Sequence, residues 1–163
     1  MSLEITGTLK ITPEPNESIK NLLQGLNRTR RMARDIGKLA ELNNISPVMA
    51  ERLYGKEGEL YYEDFPNSDQ TRDPSIIDYN RPPGNQPSLW NNWILDPETS
   101  TLSWEPHDKF YNYREWLTYI IDDILAPDGY KVNGYIKWVG DEHPLDRGYT
   151  CVNNNIIIDR LSL

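Results

Sequence analysis

Hydrophobic residues recur along this chain with two different periods, and the change of period limits the fold more than any other feature. Apolar or small side chains fill every second position of residues 3–11 and again of 130–138, which is typical of strands with one buried face. Residues 19–40 and 113–124 instead carry apolar stripes at helical spacing. Both patterns in one chain of 163 residues predict a single α+β domain.

Turn and cap residues mark the predicted boundaries. Pro13 ends the first strand, and Asn16 is a candidate helix cap. Ser46 caps a further helix that has proline in its first turn, and Gly55 ends it. Additional strands are predicted at residues 88–95, 100–105 and 148–158. We expect a mostly antiparallel sheet of about five strands with helices packed on one face.

Two of the predicted strands resemble each other. Residues 5–11 and 132–138 both read apolar, polar, glycine, any, apolar, lysine, apolar. The match is either coincidence over seven positions or a sign of two equivalent strands under equivalent helices. In the second case Gly7 and Gly134 would let a helix approach the sheet closely.

Residues 56–88 interrupt the periodic pattern. Five prolines punctuate this stretch, and no period is sustained. A structureless segment of this length inside a compact domain is usually a binding element or disordered. We interpret it as a proline-rich flap or insertion, whose acidic residues favour a basic partner unless basic groups of the chain already pair with them.

Aromatic side chains of the flap and of the strand after it form the predicted binding surface. Tyrosine and tryptophan suit recognition because they combine a large apolar area with a polar atom. The residues concerned are Tyr61, Tyr62, Phe65, Tyr79, Trp90 and Trp93.

Basic residues are concentrated between positions 28 and 38. Arg30, Arg31, Arg34 and Lys38 lie close to one face if this stretch is helical. Such a patch would bind phosphate or an acidic partner, or it would be a solvated helix face opposite an otherwise acidic body.

An acidic turn follows the strand at 130–138. Asp141, Glu142, His143 and Asp146 provide carboxylates and one imidazole, which suit Mg²⁺ or Mn²⁺, and the histidine is a candidate general base. Their spacing matches no known metal-binding motif. The simpler interpretation is a polar turn between two strands.

Three stretches of the second half carry a family resemblance: "GNQPSLWNNW", "KFYNYREWLTYIIDDILAPDGYKVNGYIKWVGDE" and "DRGYTCVNNN". They resemble a family of bacterial and phage-borne proteins with Gly-Gln-Pro-x-Leu-Trp, Phe-Tyr-x-Tyr-x-Glu-Trp-Leu and Asn-Gly-x-x-x-Trp-x-Gly motifs. Asn85 interrupts the first motif here. The resemblance covers about half of the chain and implies origin in a phage or mobile element, but no activity. His143 is not part of the family pattern.

Composition narrows the function classes. The net charge of −8 argues against general nucleic-acid binding, and no apolar run is long enough to cross a membrane. A single cysteine and the absence of a signal-peptide pattern favour a cytoplasmic protein.

No catalytic motif is present, so the sequence favours a non-enzymatic interaction protein that binds another protein and needs no cofactor. The alternatives are a metal-dependent hydrolase that uses the acidic turn with Mg²⁺ or Mn²⁺, and an acidic mimic of nucleic acid.

Overall fold

The computed structural model describes residues 3–63, 73–105, 112–140 and 147–161. The chain divides into two compact units, which we describe separately. Met1–Asn21 and Asn92–Leu163 form the sheet unit, and Leu22–Asn91 form the arginine unit. Among the described residues, no helix is both long and apolar enough to cross a bilayer.

A six-stranded antiparallel sheet forms the sheet unit and confirms the predicted α+β class. Its strands are β1 (Leu3–Thr12), β4 (Trp93–Asp96), β5 (Thr101–Trp104), β6 (Lys131–Gly140), β7 (Arg147–Asn153) and β8 (Ile156–Leu161). They follow the order β4-β5-β1-β6-β7-β8 across the sheet. Two further strands of the described residues, β2 (Ala33–Arg34) and β3 (Ile76–Asp78), pair with each other in the arginine unit.

Residues 148–158 were predicted as one strand, but they contain a hairpin. Asn154 and Asn155 adopt positive φ angles of 47° and 74° and reverse the chain between β7 and β8. Asparagine tolerates this conformation, and two consecutive positive φ angles match the right-handed twist of the paired strands. The sheet therefore has six strands rather than about five.

The two similar sequences are neighbouring strands. In the β1–β6 pair, Gly7 lies opposite Ile136 and Leu9 lies opposite Gly134. A Cβ atom on Gly7 would lie 2.9 Å from the carbonyl oxygen of Tyr135, and one on Gly134 would lie 3.0 Å from that of Thr8. The glycines therefore allow close approach of the two strands, and the expected helix contact is wrong.

One face of the sheet is buried and the other is exposed. Ile5, Leu9, Val132 and Ile136 belong to the buried face, and the residues between them are mostly exposed. Helix α4 (Tyr113–Tyr119) contacts β4 and continues into a π-helical turn (Ile120–Leu125), which contacts β6, and then a short 3-10 turn (Ala126–Asp128).

Helix α1 (Glu17–Arg28) begins as predicted, because Asn16 Oδ1 accepts a hydrogen bond from the backbone N–H of Ile19 at 2.9 Å. It ends at Arg28, so the helical stripe expected to continue to residue 40 is wrong. Helix α2 (Ile36–Leu42) begins separately, with Asp35 as its N-cap.

Helix α3 (Pro47–Tyr54) has the predicted bounds. Ser46 Oγ accepts a hydrogen bond from the backbone N–H of Met49 at 3.2 Å, and Gly55 follows the helix with a φ of 82°. Helices α2 and α3 pack against each other within the arginine unit.

Candidate functional site

Residues 31–35 organise the arginine unit through backbone hydrogen bonds to distant segments. The N–H of Arg31 donates to Leu89, that of Ala33 to Arg81, and that of Arg34 to Glu57, each at 2.8 Å. These bonds take the donors that a continuing helix would use four residues back. The stretch is therefore not helical, and four consecutive residues of it, 31–34, are buried.

Arg31 is buried and cross-links the segment that the sequence identified as a flap. Its guanidinium donates to the backbone carbonyls of Gly58, Glu59 and Tyr61 and to Oε1 of Gln86, over 2.6–3.2 Å. This arginine holds residues 58–61 together and stabilises the unit.

Arg34 is also buried, and it is held by a carboxylate, a hydroxyl and an aromatic ring. Its Nη1 lies 2.6 Å from Asp73 Oδ2 and 3.0 Å from Ser75 Oγ, and its Cζ lies 4.0 Å from the centre of the Tyr61 ring. Burial raises the pKa of Asp73, but hydrogen bonds from Ser75 and the charge of Arg34 outweigh it, so the pKa lies below its usual value.

The acidic residues described in 56–63 are occupied inside the arginine unit. Glu57 accepts from the backbone N–H of Gly84 at 2.9 Å and pairs with Arg81 at 3.2 Å, and these contacts lower its pKa despite partial burial. Glu59 accepts from two backbone N–H groups of its own turn, and Glu63 accepts from the Tyr61 hydroxyl. Their internal contacts weaken the expectation that these acids recruit a basic partner.

A group of exposed side chains surrounds Tyr79 in the arginine unit. The guanidinium carbon of Arg30 lies 3.9 Å from the centre of the Tyr79 ring, and Arg30 Nε donates to the Tyr79 carbonyl at 3.2 Å. Tyr79 is 41% exposed, Ile77 56% and Trp90 42%. Trp90 and Arg30 flank the same backbone hydrogen bond between Arg31 and Leu89. We call Arg30, Ile77, Tyr79 and Trp90 the aromatic patch.

The predicted aromatic surface is thus divided. Tyr79 and Trp90 are exposed in the aromatic patch, whereas Tyr61 and Tyr62 are half-buried beneath Arg34 and Arg28. Phe65 lies outside the described residues.

Trp93 was predicted as a binding residue, and this is wrong. It is 1% exposed on the buried face of β4, packs edge-to-face on Trp104, and donates its Nε1–H to the Tyr113 carbonyl at 2.9 Å. It is a core residue of the sheet unit because inward positions alternate along β4.

The predicted basic patch also needs correction. Arg31 and Arg34 are each 1% exposed, so only Arg30 and Lys38 retain exposed or partly exposed side chains. No continuous helix carries the four residues, because α1 ends before them and α2 begins after Arg34. The residue that sequence reasoning missed is Ile77, whose place beside Tyr79 depends on the pairing of β3 with β2.

Asp141, Glu142, His143 and Asp146 lie outside the described residues, so the metal-site hypothesis stays a prediction. Within the described residues, no group of three or more histidine, cysteine, aspartate or glutamate side chains is arranged to hold a metal ion.

A further polar cluster connects α4 with β7 and β8. Tyr113 Oη lies 3.1 Å from Thr150 Oγ1 and donates to Asp159 Oδ1 at 2.9 Å, and Arg114 pairs with the same carboxylate. Burial and the neighbouring Asp159 raise the pKa of Tyr113 to about 12, so the phenol stays protonated at neutral pH. The cluster links α4 to β7 and β8 within the sheet unit.

Comparison of the chain with protein-family models, curated proteins and solved structures gave no match. The resemblance to bacterial and phage-borne proteins stays a prediction.

Proposed function

We propose that this chain is a non-enzymatic interaction protein and that the aromatic patch contacts a protein partner. The observation that carries the proposal is the state of Tyr79, whose ring is exposed to solvent yet fixed by the guanidinium of Arg30 at 3.9 Å. An exposed tyrosine that is already ordered loses little conformational entropy on binding.

The composition of the patch supports this proposal. Tyrosine, tryptophan and arginine are the residue types that contribute most to protein–protein affinity, and Ile77 adds apolar area beside them. The ring of Tyr79 and the planar guanidinium form one amphipathic surface. A partner that fits it presents an apolar side chain that packs against these residues.

The double substitution Tyr79→Ala and Trp90→Ala tests the proposal. Both side chains are partly exposed, so we expect the free energy of unfolding to fall by about 1 kcal/mol for each. Affinity capture from lysate of the native host should lose the specific partner that the wild-type chain retains. The matched control is Leu53→Ala, which removes an exposed apolar side chain from α3 of the same unit.

Retention of the same partner by the double variant would contradict the proposal. So would the failure of a folded wild-type sample to retain any specific protein.

A further inference from the structure

The exposed face of β6, β7 and β8 combines aromatic rings and positive charge with the exposed aliphatic side chains of Val139, Ile156 and Ile158. Lys137 lies directly opposite Tyr149, which lies directly opposite Arg160, so the three side chains form one row across the strands. Tyr135 precedes Lys137 by two positions and therefore projects from the same face. It is 61% exposed, and its ring centre lies 5.8 Å from that of Tyr149.

The charge of this face is opposite to that of the whole chain. Lys131, Lys137, Arg147 and Arg160 all project from it. Among the described residues of these three strands, no carboxylate shares this face, because Asp159 lies opposite buried Thr150 on the other side. Glu4 of β1, which lies opposite Val139, and Asp96 of β4 lie on the same side of the sheet. A chain with 25 acidic and 17 basic residues thus has a local cationic surface on β6, β7 and β8.

The net charge of −8 disfavours binding along a nucleic-acid duplex, because such binding needs an extended positive surface. The net charge of a whole chain does not determine the charge of one local face. Single-stranded nucleic acid presents both chemistries that the face matches: bases stack on aromatic rings, and phosphates pair with lysine and arginine. A second copy of the chain would instead bring two cationic faces together. An acidic peptide would use the charges but has no rings to stack on Tyr135.

Hydroxyl groups beside the aromatic rings favour RNA over DNA. Thr8 lies directly opposite Tyr135, and Thr6 lies directly opposite Lys137, both on the exposed face of β1. A nucleotide stacked on Tyr135 would place its ribose near these side chains, and the 2′-hydroxyl is the group that distinguishes RNA at such a position.

We propose that the exposed face of β6, β7 and β8 binds single-stranded RNA, with one base stacked on Tyr135 and phosphates beside Lys137 and Arg160. The proposal does not depend on the aromatic patch, which lies on other residues and takes a different class of partner.

Fluorescence anisotropy with the full chain tests it. The probe is a labelled single-stranded RNA pool of randomised sequence, about ten nucleotides long, at low salt. Tyr135→Ala should weaken binding by roughly tenfold or more, whereas Tyr135→Phe, which keeps the ring, should bind like the wild type. Lys137→Ala should lower the slope of log affinity against log salt by about 0.7.

Lys38→Ala is the matched control, because it removes an exposed lysine from α2 and should change neither affinity nor slope. The absence of any anisotropy change with the wild type would overturn the proposal, as would equal affinity of Tyr135→Ala. Equal binding of single-stranded DNA would overturn the assignment to RNA. Equal binding of duplex RNA, or displacement of the RNA by an equimolar acidic peptide, would overturn the role of base stacking.

Discussion

Two buried arginines define the arginine unit at the scale of single residues. Charged side chains are buried only where other groups replace their hydration, and here backbone carbonyls hold Arg31 while Asp73, Ser75 and the Tyr61 ring hold Arg34. Because of these contacts, Arg31 and Arg34 lie in the interior of the unit rather than on a solvated helix face.

Asp73→Asn should destabilise the chain and alter its response to acid. The variant leaves the buried Arg34 guanidinium without its counter-charge, and we expect a loss of about 3 kcal/mol at pH 7. The pKa of Asp73 lies below its ordinary value of 3.8 in the folded state, so its stabilisation is complete above that value. It is lost as the pH falls through the lowered pKa.

Urea unfolding of both proteins between pH 7 and pH 2 checks this expectation. The difference in unfolding free energy should be largest at neutral pH and should disappear at the acid end. A difference that stays constant across the range would show that the ion pair does not supply the stability.

The sequence could not reveal these residue contacts, because the partners are remote. Asp73 is 39 positions from Arg34, and Gln86 is 55 positions from Arg31. Helical spacing is a local signal, and it suggested a basic helix face. The backbone N–H groups of Arg31, Ala33, Arg34 and Asp35 instead donate to distant segments of the chain.

At the scale of elements, cap and turn residues in the sequence correctly predicted where two helices begin and where one of them ends. The caps at Asn16 and Ser46 and the termination at Gly55 were correct, because a cap satisfies backbone groups within a few residues of itself. The β7–β8 hairpin was missed although its signal was present: two consecutive asparagines between apolar residues are compatible with a tight turn.

Asn155→Gly tests what this hairpin contributes. Glycine suits the positive φ better, but the Asn155 side chain accepts from the buried Val132 N–H at 2.7 Å and donates to the Tyr130 carbonyl at 3.1 Å. Loss of these bonds outweighs the conformational gain, so we expect a destabilisation of about 1–2 kcal/mol.

Asn154→Gly is the control for this substitution, because the side chain of Asn154 makes only an exposed 3.4 Å contact with Asn133. Thermal unfolding should show little change for this variant. An Asn155→Gly variant as stable as the wild type would show that the hydrogen bonds of Asn155 to Val132 and Tyr130 do not contribute to the free energy of unfolding.

At the scale of the whole molecule, the sequence pattern predicted the fold class correctly but did not predict which side chains share a surface. The mixed periodicity required an α+β fold, and the described structure has one. Net charge and residue counts, however, cannot show which side chains share a face. Of the predicted binding residues, Tyr79 and Trp90 are exposed, whereas Trp93 lies in the core, opposite Trp104 in the β4–β5 pair.

Site-specific photo-crosslinking tests the central claim, that the aromatic patch is the surface which contacts a protein partner. Benzoylphenylalanine replaces Tyr79 in one sample and the exposed Glu98 in a control, and both are irradiated in host lysate. We predict a discrete protein adduct from position 79 that is absent from position 98. Excess unlabelled wild-type chain should suppress the adduct, and excess Tyr79→Ala/Trp90→Ala chain should not. No adduct at position 79, or the same adducts from both positions, would contradict the claim.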